Sequence, residues 1–417
     1  MPSRAHASGP RGSFVPNIAG RHRRGRVWRT LFQAATLVGI MALMTLLYNI
    51  INESFGLAAV QNKIDPATLA VAGTPLEDLP KEQLVDILRT HVSAGLMRRL
   101  ESEAPWAERS RDDVYLLVQE RVVSPEIVQT WMLAESLLER ERIVAQAAQR
   151  HPGAQVVFRS WLNAQFLRTP QSTTPAFSGV RTALLGSLWT IFIAVVVAFP
   201  LGVGAAIYLE EYAADNALNR VIQTNINNLA GVPSIIYGIL GLAVFVRALQ
   251  PLTSGALFGS TDPTTANGRT LLSAGLTLGL LILPIIIING QEAIRAVPQS
   301  LRQASYALGA TQWQTVWRHV LPQAISGILT GTILAVSRAI GETAPLVVIG
   351  ASTFIVVDPD GLFSKFTTLP IQIYQWTSRP QAQFRHIAAA AILVLMILLL
   401  SMNASALLLR NRFRRRS

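Results

Sequence analysis

Residues 291–322 read QEAIRAVPQSLRQASYALGATQWQTVWRHVLP, a polar, amphipathic stretch set between two long apolar runs. Its punctuation predicts two short helices joined by a glycine. Pro298 suits an early helical position; Leu301, Ala304, Ser305 and Leu308 recur on one face; Gly309 ends the turn as a C-terminal cap. Thr311 with Gln314 three residues on makes a capping box, and Trp313, Val316, Trp317, Val320 and Leu321 follow at helical spacing. Pro322 marks the turn into the next apolar run. A helix–glycine–helix with a small-residue face and an aromatic face, held between membrane spans, is shaped to press into a groove on another protein. The competing reading is a loop that lies on lipid headgroups.

Half of the 417 residues are hydrophobic and only 14% are charged, which excludes an ordinary soluble protein. The apolar residues are gathered into blocks, so the expected class is an all-α integral membrane protein. The net charge of +12 arises from seven Arg in residues 1–30 and five in 410–417, two stretches without an acid. Charge confined to two tails beside apolar runs is a topology signal and not a nucleic-acid surface. No cysteine occurs, so disulfides and thiolate metal sites are absent. None of the three lysines, Lys63, Lys81 and Lys365, closes a G-x-x-x-x-G-K-[ST] phosphate loop. If ATP drives this protein, another subunit hydrolyses it.

In chain order, 1–29 is expected to be a disordered basic tail on the cytoplasmic side. Residues 30–52 are uncharged and long enough to cross a bilayer core of about 30 Å, as an uncleaved anchor and not a signal peptide. Residues 53–179 carry 16 of the 24 acids and no run that could span. Pro80, Ser110 with Asp113, and Ser124-Pro125-Glu126 each read there as a helix start, predicting a small outer domain of three or four helices. From 180 to 409 the chain is a membrane core. Uncharged runs at 182–209, 221–246, 270–291 and 387–409, a further run at 323–350 and the anchor predict six crossings. An even count leaves both basic termini, 410–417 included, in the cytoplasm, and puts 291–322 there as well.

Arg338 and Glu342 interrupt the 323–350 run four residues apart, on one helix face. A guanidinium at that depth costs about 2.5–3.5 kcal/mol to insert, so it is expected to face a partner or a watery path. Its planar fork suits a tetrahedral oxyanion, and Glu342 would keep such an anion from binding too tightly to leave. Ser337 and Thr343 offer hydroxyls beside it. An ion pair that merely holds helices together is the other reading.

Two sets of residues carry a family resemblance. Gln303-Ala304-Ser305, Gly309 and His319-Val320-Leu321-Pro322 keep the spacing of the EAA loop of importer-type ABC transporter permeases, with Gln in place of the usual Glu. The run from Arg338 to Leu346 (RAIGETAPL) is similar to a segment of phosphate-specific (Pst) permeases of the PstA type. Residues 200–212 (PLGVGAAIYLEEY) and 231–238 (GVPSIIYG) resemble two further segments of that family. The resemblance covers roughly 180 to the end and the first anchor, but not the outer domain. It implies the six-span type I ABC importer permease fold in the inner membrane, without enzymatic activity or cofactor of its own. It also implies two ATPase subunits, a second permease of the PstC type and an extracytoplasmic phosphate-binding protein, with no nucleic acid. Gln303, Ala304, Ser305, Gly309, Trp313, Leu321 and Pro322 would couple to the ATPase, with Trp313 and Trp317 packed against the bases of the spans as a stiff link. Arg338, Glu342, Ser337 and Thr343 would line the substrate path. A permease for sulfate or molybdate, and a membrane-anchored scaffold or sensor working through 53–179, stay open beside it.

Overall fold

The structure, a computed structural model, describes residues 18–71, 73–103, 105–107, 109–259, 265–351 and 354–414. The chain divides into two compact units, 1–50 and 51–417.

In the first unit the described residues form one helix, which starts at Ile18 and runs on to Ser54. Its apolar part, with no Asp, Glu or Lys, needs no sequence-distant partner to be helical in lipid, where every backbone group must bond within the segment. The basic residues from Arg21 to Arg29 lie on this helix, so the expected disorder of 1–29 is corrected for 18–29; residues 1–17 lie outside the described residues.

The second unit opens with a sheet. Strands β1 (Phe55–Asn62), β2 (Pro125–Thr130) and β3 (Gln155–Ser160) are antiparallel in the order β2-β1-β3. This corrects the purely helical reading of 53–179. Ser124 is not an N-cap: it takes a left-handed conformation (φ 43°), and Pro125 opens an edge strand that contains the β-branched Ile127 and Val128. Helices do form where the caps announced them. Ser110 and Asp113 make a reciprocal capping box at the start of Arg111–Val118, which packs with Lys81–His91 around Leu84, Leu88, Val114 and Val118.

The membrane core rests on the helix Leu271–Arg295, with Leu278, Ile282 and Ile286 fully buried against Ile193 and Ala194 of the helix Arg181–Ile207 and Ala335 and Ala339 of the helix Leu321–Gly341. The last helix, Ala382–Arg414, adds Ile387, Ala388, Ala390 and Ala391 to a second core with Trp376 and Leu369. His386 ties this helix to the sheet: Nδ1 lies 2.7 Å from the Glu53 carbonyl and Nε2 2.8 Å from Thr130 Oγ1, with the ring stacked on Trp161.

Among the described residues five helices are long and apolar enough to cross a membrane, or six if one bent pair counts as a span. The bent pair is the expected 221–246 span. It is two helices, Ala217–Ala230 and Ser234–Ala248, meeting at 108°. Residues 221–230 are uncharged yet rich in Asn and Gln, and Pro233 has no N–H to continue the ladder. The 323–350 span is likewise corrected. Its helix ends at Gly341, Glu342 is extended, and a separate short helix occupies Ala344–Ile349. Pro345 explains the interruption, because its ring disfavours helix before it and removes a donor.

Candidate functional site

The 291–322 stretch folds as a knuckle. A helix spans Gln299–Ala307, preceded by Pro298, and Gly309 takes φ +80°, a conformation in which glycine alone avoids a steric penalty. Thr311 and Gln314 cap each other, and the second helix starts at Gln312. Ser305 Oγ and Thr315 Oγ1 lie 2.8 Å apart in the buried seam and hold the two arms together. Leu301 and Leu321 pack with Val297, Val320 and Ala324 on the inner side.

Two expectations change here. The second arm does not turn at Pro322. The helix runs on from Gln312 to Gly341, and residues 316–320 widen into an i→i+5 turn just before the proline, which cannot donate. Nor do Trp313 and Trp317 pack against the spans. They stack on one another at 5.5 Å and stay exposed, together with Leu308, Tyr306, Gln303 and Ala304. The face once grouped as Leu301, Ala304, Ser305 and Leu308 is therefore split, Leu301 and Ser305 inward, Ala304 and Leu308 outward.

The second cluster sits where two helix breaks meet. Gly238 of the Ser234–Gly241 helix lies against Pro345, and Tyr237 donates from its hydroxyl to the Leu229 carbonyl across the neighbouring break, 2.7 Å away. Beside them Arg338 Nε is 3.3 Å from Glu342 Oε1, the arginine 46% exposed and the glutamate 19%. The pair is therefore formed through Nε, with nearly half of the arginine side chain exposed. Ser337 does not join it: its hydroxyl lies 2.6 Å from Asn403 Oδ1 on the last helix. Thr343 heads the 344–349 helix without a side-chain cap bond. Along the same long helix runs a groove of about 710 Å³, lined by Asn289, Glu292, Thr330, Leu334, Ser337 and Asn403. Among the described residues no cluster of His, Asp and Glu could hold a metal ion.

Sequence reasoning missed two ion pairs. Arg302, inside the knuckle, is buried against Glu211, and Arg295 meets Glu210. The available signal was a pair of adjacent carboxylates at the end of an otherwise uncharged span.

The family described as binding-protein-dependent transport system inner membrane component matches residues 198–415, and the chain belongs to it. The relatives narrow this. The chain is 32% identical over 249 residues to the probable ABC transporter permease protein YqgI of Bacillus subtilis (strain 168), covering 56% of this chain and 79% of that protein. It is 32% identical over 239 residues to the phosphate transport system permease protein PstA of Yersinia pestis, covering 57% and 74%. Against PstA 1 of Mycobacterium tuberculosis (strain ATCC 25618 / H37Rv) identity is 38% over 216 residues, covering 51% and 64%. The chain is thus a multi-pass inner-membrane permease of an ABC importer, of the PstA type. Among solved structures it is similar to a chain of the inward-facing MetNI methionine ABC transporter, with 21% identity and a TM-score of 0.41 over 56% of this chain and 94% of that one.

Proposed function

We propose that the chain forms half of the translocation pathway of an ATP-driven importer of inorganic phosphate. The observation that carries this is Arg338: a half-exposed guanidinium beside two apposed helix breaks, partly neutralised by Glu342 at 3.3 Å. A permanently charged fork can take two oxygens of a tetrahedral anion. The adjoining carboxylate weakens that hold, so the anion is passed on and not trapped. The names of the phosphate transport relatives agree with this chemistry.

Both termini and the 291–322 knuckle lie in the cytoplasm in this reading, and residues 53–179 stand outside, packed on the membrane core within one compact unit. Gln303, Ala304, Ser305, Gly309, Trp313, Leu321 and Pro322 belong to the surface and scaffold that meet one subunit of an ATPase dimer. A second permease of the PstC type completes the pathway, and a phosphate-binding protein delivers the anion from outside. ATP-driven closure of the ATPases pushes the knuckle, the spans rock, and access past Arg338 switches from outside to inside. Gln303 leaves the docking face without the carboxylate usual at that position, so shape and the aromatic pair supply the contact.

The test is reconstitution of the chain with candidate ATPase, second-permease and binding subunits in liposomes. Phosphate, and not sulfate or molybdate, should stimulate ATP hydrolysis and enter the vesicles. Stimulation by sulfate or molybdate alone would move the assignment to another oxyanion. No stimulation by any oxyanion would remove it.

A further inference from the structure

The segment Tyr208-Leu209-Glu210-Glu211-Tyr212 holds the knuckle in two places. The helix that begins at Arg181 widens over Tyr208–Tyr212 into an i→i+5 turn. In a regular helix neighbouring side chains diverge by about 100°. Here both carboxylates reach arginines of the 291–322 stretch. Glu210 meets Arg295 at 2.6 Å, with the arginine 61% exposed. Glu211 meets Arg302 at 2.7 Å, and here both side chains are nearly dry, 6% and 9% exposed.

Arg302 makes four further bonds or contacts beyond that one. Nε lies 3.1 Å and 3.5 Å from the two Glu211 oxygens, Nη1 donates to the Val297 carbonyl at 2.6 Å, and Nη2 donates to the Ile294 carbonyl at 3.0 Å. The Gln312 amide adds a bond to the Glu211 carbonyl. One guanidinium therefore joins the end of the 181–212 helix, the end of the 271–295 helix and the knuckle.

We propose that the Arg302–Glu211 pair is the latch that carries movement of the knuckle into the 181–212 helix, and that Arg302 is a positioning residue for coupling. The proposal rests on the coupling role proposed above. Chain continuity carries any displacement of the knuckle into the 271–295 and 312–341 helices, which it joins. The 181–212 helix has no such continuity with the knuckle, and the ion pair supplies a link. The link is stiff because a planar fork in a dry site has little rotamer freedom and its bonds are strengthened by the low dielectric. The Arg295–Glu210 pair has the same charges, but its arginine is 61% exposed while its glutamate is 15% exposed, so water reaches one side of it and weakens the hold. It serves as a graded comparison.

The experiment compares Arg302→Met, Arg295→Met and the double variant Arg302→Met with Glu211→Met in the reconstituted complex. ATPase co-purification, ATP hydrolysis and phosphate entry are measured on each. Arg302→Met should lower phosphate moved per ATP by about tenfold or more, since the link from the knuckle to the 181–212 helix is cut, and the carboxylate left unpaired should lower stability as well. Arg295→Met should lower the ratio by a few-fold at most, well short of Arg302→Met, because its guanidinium lies largely in water. In the double variant no lone buried charge remains, so assembly and thermal stability return while the phosphate-to-ATP ratio stays low. Recovery of that ratio in the double variant would reduce the pair to packing and overturn the latch. An unchanged ratio in Arg302→Met would overturn it as well. An unaltered complex whose hydrolysis ignores phosphate would instead defeat the coupling reading itself, and the latch with it.

Discussion

Gly238 and Pro345 are in backbone contact: a Cβ built on Gly238 falls 2.6 Å from Pro345 Cα. They belong to the two segments where the spans break, so the contact fixes one break against the other. Arg338 and Glu342 lie on the chain leading into that joint. Gly238→Val should therefore displace the 344–349 helix, at a cost of about 1–3 kcal/mol typical of overpacking. A thermal-shift measurement on the purified chain reads this; an unchanged melting temperature would show that the joint is soft.

Arg338→Ala removes the fork but no buried neighbour. Phosphate entry should fall to background while the complex assembles with normal yield. Arg338→Lys, which keeps the charge and loses the bidentate geometry, should retain a small fraction of transport. Wild-type entry in Arg338→Ala would exclude this residue from the path.

Gly309 separates geometry from docking. A Cβ there meets nothing within 4 Å, so the chain itself has room for a side chain, but φ is +80°. Gly309→Ala should cost about 1 kcal/mol of knuckle stability through the backbone alone. Gly309→Arg adds bulk and charge at the docking face and should abolish ATPase co-purification. Equal co-purification of glycine, alanine and arginine forms would refute contact at this turn.

Trp313 and Trp317, stacked and exposed, have little to lose from the isolated chain's fold. Replacing both with alanine should leave the melting temperature unchanged and weaken ATPase binding by about 2 kcal/mol or more, as aromatic anchors do. Binding affinity by titration with purified ATPase subunit decides; a stability loss without a binding loss would assign them to packing.

His386→Phe keeps the stack on Trp161 but removes both polar contacts, leaving the Glu53 carbonyl and the Thr130 hydroxyl without this partner. The expected cost is about 1–3 kcal/mol for each group that water cannot reach. Limited proteolysis of residues 53–179 should become faster, and a protection pattern like that of the unaltered chain would show that the sheet is held by other contacts.

How far the sequence could be read varies by element. The knuckle was legible because every signal in it is local: Thr311 reaches Gln314, and Gly309 answers only to its own φ. The 181–207 and 271–295 helices were legible because an uncharged window of that length in lipid has few other solutions. The 221–246 run misled because absence of charge was taken for apolarity, while its amides and Pro233 favour a bend. At Ser124-Pro125 the same residue types serve as a helix cap or a strand start, and the choice belonged to β1, more than sixty residues earlier.

By itself the sequence determined the class of the protein, the number of apolar segments within one, the helix–glycine–helix between two of them and the spacing that lets Arg338 meet Glu342. The tertiary structure decided which side chains face which. It put Trp313 outward, turned Ser337 to Asn403, made a sheet of three distant segments, and joined Arg302 to a glutamate 91 positions away. The reason is range: caps, turns and hydropathy act within a few residues, whereas burial and charge pairing depend on neighbours brought together only by the fold.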